Sequence, residues 1–98
     1  MIEIKDPKRF LWDHGNERKN SDKHNVSKEE TEQVFFNQPL ILLEDKAHSL
    51  KEMRFHALGK TDNNRKLHIT FTIRKDQIRV ISARPMHKKE KKSYEKNS

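Results

Sequence analysis

The chain has 98 residues, 31% hydrophobic and 38% charged, enough for one domain with a small core, expected over 1–98 with flexible ends at 1–7 and 95–98. It lacks cysteine, which excludes disulfides and thiolate metal sites; with no apolar run near the ~20 residues of a bilayer span and no signal-peptide core, a cytoplasmic protein with no membrane partner is expected. Its 22 Lys and Arg against 15 Asp and Glu leave a formal charge of +7 and a pI near 9.8, an electrostatic footprint for a polyanion that does not separate RNA from DNA.

In chain order, Phe10 and Trp12 stand two apart, so a short strand puts both rings on one face. Asp13 suits a helix N-cap. The stretch His14 to His24 holds no large apolar residue; a helix polar on all sides and a solvated loop fit it equally well. Ser27-Lys28-Glu29-Glu30 is a capping box, predicting a helix to about Phe36, stopped by Asn37 and Pro39. Leu40 to Leu43 reads as a buried strand. Met53, Phe55 and Ala57 alternate with Arg54 and His56, predicting another strand that ends near Gly59. Thr61 to Asn64 makes a turn. Leu67, Ile69, Phe71 and Ile73 alternate strictly with polar residues, the clearest strand in the chain. Lys75-Asp76-Gln77 is the hairpin loop to a strand over Ile78 to Ala83. Pro85 suits the first turn of a closing helix that ends with Tyr94. The expected fold is α+β: an antiparallel sheet of about four strands plus a short N-terminal strand, two N-terminal helices and one C-terminal helix.

Several chemistries are absent. Six histidines, at positions 14, 24, 48, 56, 68 and 87, form no H-x3-H pair and no HExxH, so no metal and no cofactor are expected. Two glycines cannot build a phosphate loop, and neither G-x-S-x-G nor a catalytic cysteine exists. Phosphodiester chemistry by side chains remains. RNA carries its own nucleophile, the 2′-hydroxyl; His, Glu or Lys can move the protons, and Arg presents fixed donors to phosphate oxygens. Glu52, Arg54, Arg74, Arg79 and Arg84 lie on or beside predicted strands. Each also has a purely structural reading, in which Arg54 only pairs with Glu52 or Glu44, Arg79 is a satisfied interior arginine, and Trp12 is core.

Three ordered blocks resemble the BrnT family of toxins. Phe10, Trp12-Asp13, Asn16, Asn20, Lys23-His24 and Val26 follow F-x-W-D-x-x-[KN]-x-x-x-N-x-x-K-H-x-V. Glu44-Asp45, His48-Ser49, Glu52, Arg54 and Leu58-Gly59 are similar to its middle block, and Ile78-Arg79-Val80-Ile81-Ser82-Ala83-Arg84 with Glu90 and Tyr94 to its last. The likeness covers about residues 10 to 95. It implies a RelE-like fold, an endoribonuclease that arrests translation, and neutralisation by a BrnA-type antitoxin. The assembly it implies is a heterotetramer around a toxin dimer, with operator DNA contacted only through the antitoxin. It also implies that the polar stripe of the first helix borders the substrate groove. On the matching positions, Lys23, His24, Glu52, Arg54, Arg79 and Arg84 are the expected catalytic set. Lys23 and His24 serve proton transfer or phosphate contact, Glu52 is a base or an orienter of Arg54, and the arginines hold the phosphate. Trp12, Asn20, Arg74, Lys88 and Lys89 are the expected RNA contacts. Asn25 stands where the pattern has Gly, and Asn16 replaces a Lys of many members. The competing expectation is a non-catalytic, basic nucleic-acid-binding module whose site has decayed.

Overall fold

A computed structural model of the chain describes residues 9–12, 24–48 and 52–96. The elements are β1 (Phe10–Leu11), α1 (Lys28–Val34), β2 (Ile41–Asp45), a 3-10 turn (Lys46–His48), β3 (Arg54–Lys60), β4 (Lys66–Arg74), β5 (Gln77–Pro85) and α2 (Lys88–Lys96). The strands form one sheet in the order β1-β5-β4-β3-β2. All neighbours pair antiparallel except β1, which joins β5 in parallel, so the sheet is mixed. The predicted helix over 14–24 lies outside the described residues, except His24.

Alternation on the strands, broken once in β5 by a register shift opposite Thr70 and Phe71, divides the sheet into two faces. Phe55 and Ala57 of β3, Leu67, Ile69 and Phe71 of β4, and Ile78, Val80 and Ala83 of β5 point one way and are buried. Val26, Val34 and Phe35, from α1 and its flanks, close this core. Phe10 brings β1 into it, with ring centroids 5.5 Å from Phe35; Phe35 in turn meets Phe71 edge-on at 5.2 Å.

The cap that starts α1 is fully formed. The Glu30 N–H donates to Ser27 Oγ at 3.1 Å, and the Ser27 N–H donates to Glu30 Oε1 at 3.1 Å. Arg65, from the β3–β4 turn, donates to the same carboxylate and to the carbonyls of His24 and Asn25. Asn25 has φ 53, a left-handed conformation that Asn tolerates in place of Gly. Gly59 marks the closest approach of α1 to the sheet: a Cβ there would stand 2.6 Å from Val34 Cγ1 and 3.3 Å from the Val34 carbonyl oxygen. Val34 is fully buried and β-branched, so it has little room to move. Gly59→Ala is therefore expected to cost about 1–3 kcal/mol, seen as a lower denaturant midpoint; a midpoint equal to wild type refutes the close packing.

The fold differs from the sequence expectation at its C-terminal end. Pro85 ends β5 rather than opening the last helix, which runs Lys88–Lys96. The reason lies in the short β1: it pairs with β5 only at Ile78 and Arg79, so Pro85 has β4 on one side alone, where it opposes Leu67. A proline lacking its N–H is tolerated where one strand edge is unpaired. The β4–β5 turn is Lys75-Asp76, with φ of 48 and 64, the tight two-residue form that follows the strand twist.

Candidate nucleic-acid interface on the second sheet face

Residues directly opposite on antiparallel strands share a face. On the face away from α1, Asp45, Arg54, Thr72 and Arg79 form one row across β2, β3, β4 and β5. Arg54 and Arg79 are two strands apart, about 10 Å between Cα atoms at the usual strand spacing. Thr72 between them is buried, and its hydroxyl donates to the Met53 carbonyl at 2.6 Å. The next row is His56, Thr70 and Ser82; the one after is Leu58, His68 and Arg84.

The arginine end carries a carboxylate. Glu52, just before β3, accepts from Arg74 Nε at 3.0 Å and Arg74 Nη2 at 3.3 Å. The Arg74 hydrogen bonds hold its carboxyl below the usual carboxylate range against the opposing effect of burial, and the charges of Arg74, Arg79 and Arg54 add to this. Four predicted site residues, Glu52, Arg54, Arg74 and Arg79, thus share one electrostatic cluster. A carboxylate stabilised by several guanidinium groups is a poor proton acceptor and a good orienter of those groups.

The opposite end is covered by α2. Leu58, Met86, Tyr94 and Ile41 form a small second core there, and the Tyr94 hydroxyl donates to the Pro39 carbonyl at 2.6 Å. Arg84 is bound to this end. Its Nη1 and Nη2 donate to the two oxygens of Glu90 at 2.8 and 3.0 Å. The Glu90 carboxylate also accepts the His87 N–H at 2.8 Å, which caps α2. The Arg84 hydrogen bonds, and then that of His87, lower the Glu90 carboxyl to about 2. Arg84 therefore faces the same side as Arg54 and Arg79 but joins strand to helix at the far end.

Between the two ends sit two histidines that the sequence reading did not select. His56 Nε2 lies 3.0 Å from Asp45 Oδ2, and its Nδ1 is 3.1 Å from Thr70 Oγ1. Its ring lies tilted against that of His68, with centroids 4.7 Å apart and planes at 41°. Both line a shallow pocket of about 430 Å³ with Leu43, Leu58, Lys89 and Glu90. A histidine alternating with apolar residues on a strand reads from sequence as ordinary polar-face filling. The informative signal is that His56 and His68, on different strands, both alternate in phase with an arginine.

His68 is only 12% exposed at its side chain, and its Nδ1 is buried without a hydrogen-bond partner. Burial, and then the nearby Arg84 charge, push the imidazole down from 6.5 to about 4. The folded state thus disfavours protonation that the unfolded state accepts below about pH 6.5. Stability is full above that pH and is lost as pH falls towards about 4, by about 2 kcal/mol at pH 5. His68→Leu should unfold at nearly equal denaturant concentrations at about pH 7 and 5, once the carboxylates and other histidines that titrate in both proteins are allowed for. An equal acid loss in wild type and variant would remove His68 as the cause.

The remaining predicted residues are placed elsewhere. Trp12 packs against the core on the α1 side, and its indole N–H donates to Glu32 Oε2 at 2.8 Å. It is core-anchored and does not reach the arginine face. His24 lies beside the start of α1, its carbonyl held by Arg65. Lys89 reaches the pocket from α2, whereas Lys88 is exposed beside it. Lys23 and Asn20 lie outside the described residues. Among the described residues no group of three His, Asp or Glu could hold a metal ion, and no helix is long and apolar enough to cross a membrane.

Fold and face together define a small α+β domain with one apolar sheet face under a helix and one cationic, imidazole-bearing face suited to a phosphodiester backbone. Residues 12–90 match the family described as the ribonuclease toxin, BrnT, of type II toxin-antitoxin systems, and the chain belongs to that family. No curated protein matches it significantly.

Proposed function

We propose that the protein is a metal-independent endoribonuclease acting in the cytoplasm, which cuts RNA, arrests translation, and is held inactive by a BrnA-type antitoxin. The observation that carries this reading is the row of Arg54, Thr72 and Arg79 with Glu52 beside it. Guanidinium groups two strands apart on one sheet face can reach in to grip the two non-bridging oxygens of one phosphate. They also stabilise the charge that builds on phosphorus during attack. The nucleophile is the RNA's own 2′-hydroxyl, so no metal-bound water is required. Arg74 contributes to phosphate contact while Glu52 fixes its direction. Lys89 extends the cationic face towards α2.

Family membership implies an antitoxin partner. With a BrnA-type partner the complex is a heterotetramer built on a toxin dimer, and operator DNA is met through the antitoxin. The testing experiment is cleavage of end-labelled RNA by purified protein in excess chelator, with and without the antitoxin. Expected are RNA fragments in chelator, none from DNA of the same sequence, and none once antitoxin is added. Salt-sensitive RNA binding with no cleavage would instead identify a binding module with a decayed site.

A further inference from the structure

Resting on the ribonuclease reading, we infer that His56, oriented by Asp45, is the group that takes the proton from the attacking 2′-hydroxyl. His56 follows Arg54 by two residues on β3, so both side chains leave the same sheet face about 7 Å apart along the strand. A phosphate held by Arg54 and Arg79 therefore presents its ribose to the next row, which contains His56 and Thr70.

The two hydrogen bonds of the ring assign its tautomer. Asp45 Oδ2, 3.0 Å from Nε2, is an acceptor, so Nε2 carries the hydrogen. Nδ1 then has a lone pair and accepts from the Thr70 hydroxyl at 3.1 Å. That is the arrangement of a general base backed by a carboxylate: the acid fixes ring orientation and stabilises the imidazolium that forms. Thr70 holds the place on Nδ1 that the 2′-hydroxyl takes when RNA binds. His68, on the same strand as Thr70 with its ring centroid 4.7 Å away, is kept neutral at ordinary pH and adds no opposing charge. Glu52 is the poorer base, because Arg74, Arg79 and Arg54 all favour its ionised form.

The step balances. Nδ1 receives the 2′-hydroxyl proton, the 2′-oxygen bonds to phosphorus, and the bond from phosphorus to the 5′-oxygen breaks. The 5′-oxygen leaves with the electron pair and takes a proton from solvent, and the imidazolium returns its proton to solvent. The products are a 2′,3′-cyclic phosphate and a 5′-hydroxyl.

The test is steady-state cleavage of a labelled RNA by wild type, His56→Gln and Asp45→Asn, with folding checked by circular dichroism. His56→Gln should lower kcat about a hundredfold or more with KM nearly unchanged, and Asp45→Asn about tenfold or more through loss of the tautomer. Cleavage by His56→Ala should rise with added free imidazole, which a purely structural role would not allow. Folded His56→Gln within threefold of wild type overturns this inference and leaves the ribonuclease reading standing. If His56→Gln does not fold, Asp45→Asn within threefold of wild type overturns it. A wild-type protein that cuts no RNA defeats the ribonuclease reading, and this inference with it.

Discussion

Arg79→Ala is expected to lower kcat/KM for RNA cleavage about 10²- to 10³-fold while leaving the fold in place. The magnitude is that of removing one preorganised donor from a site where charge develops. Arg79 sits mid-strand on β5, between buried Ile78 and Val80, but its side chain leaves on the opposite face. The core is not opened by its removal. Glu52 keeps its two hydrogen bonds from Arg74, and the stability loss should stay near ~1 kcal/mol. Arg79→Lys separates charge from geometry: an ammonium retains attraction to phosphate but lacks the planar fork, and an intermediate loss is expected. Induced expression of Arg79→Ala without antitoxin should permit growth that wild type stops. Undiminished cleavage by a folded Arg79→Ala protein would remove the arginine row from the chemistry.

Arg84→Ala should behave differently, because Arg84 bridges β5 and α2. Its two hydrogen bonds to Glu90 are partly buried, with side-chain exposures of 24% and 25%. Removing the guanidinium leaves a carboxylate with the His87 N–H and His68, 3.9 Å away, as its remaining described partners. An expected loss of about 2 kcal/mol follows, below the range for fully buried pairs. The sign of its pH dependence is fixed by the depressed Glu90 carboxyl. The stabilisation is present above the ordinary value of 4.5 and disappears as pH falls through about 2. Urea unfolding at neutral pH should therefore show a lower midpoint for Arg84→Ala, and the two proteins should converge in strong acid. Arg84→Met combined with Glu90→Leu should recover part of the midpoint: a matched apolar pair avoids desolvation, while the His87 N–H loses its cap. Cleavage by that double variant near the wild-type rate would mark Arg84 as a structural tie. A rate as low as that of Arg79→Ala would place Arg84 on the substrate. An unchanged midpoint for Arg84→Ala would refute the tie itself.

Glu52, Arg54, Arg74 and Arg79 were selectable because each belongs to a strand or its edge, and strand alternation alone assigns them to the polar face. Arg84 breaks that alternation: it stands five residues after Arg79 and reaches the same face only through the register shift opposite Thr70 and Phe71, and its partner Glu90 lies six residues on, across the turn into α2. Only the direction of that turn decides that the pair closes. The His56–Asp45 pair was not selectable. The residues stand eleven apart and become diagonal neighbours only through the register in which Leu43 faces His56 and Asp45 faces Arg54. Trp12 shows the converse: its pattern allowed either RNA contact or core, and the hydrogen bond to Glu32, twenty residues away, fixes it in the core layer.

By itself the sequence determined the α+β class, the capping box at Ser27, the alternating strand β4 and the family, since each depends on spacing between near neighbours. Tertiary structure decided which of the strand cations become neighbours, that Arg84 joins their face, which one is committed to a carboxylate, and which imidazole meets them. Those outcomes depend on strand order and register, set by burying Phe55, Ile69, Phe71, Ile78 and Val80 together under α1. Once that apolar face is closed, the polar residues opposite have no choice of neighbours.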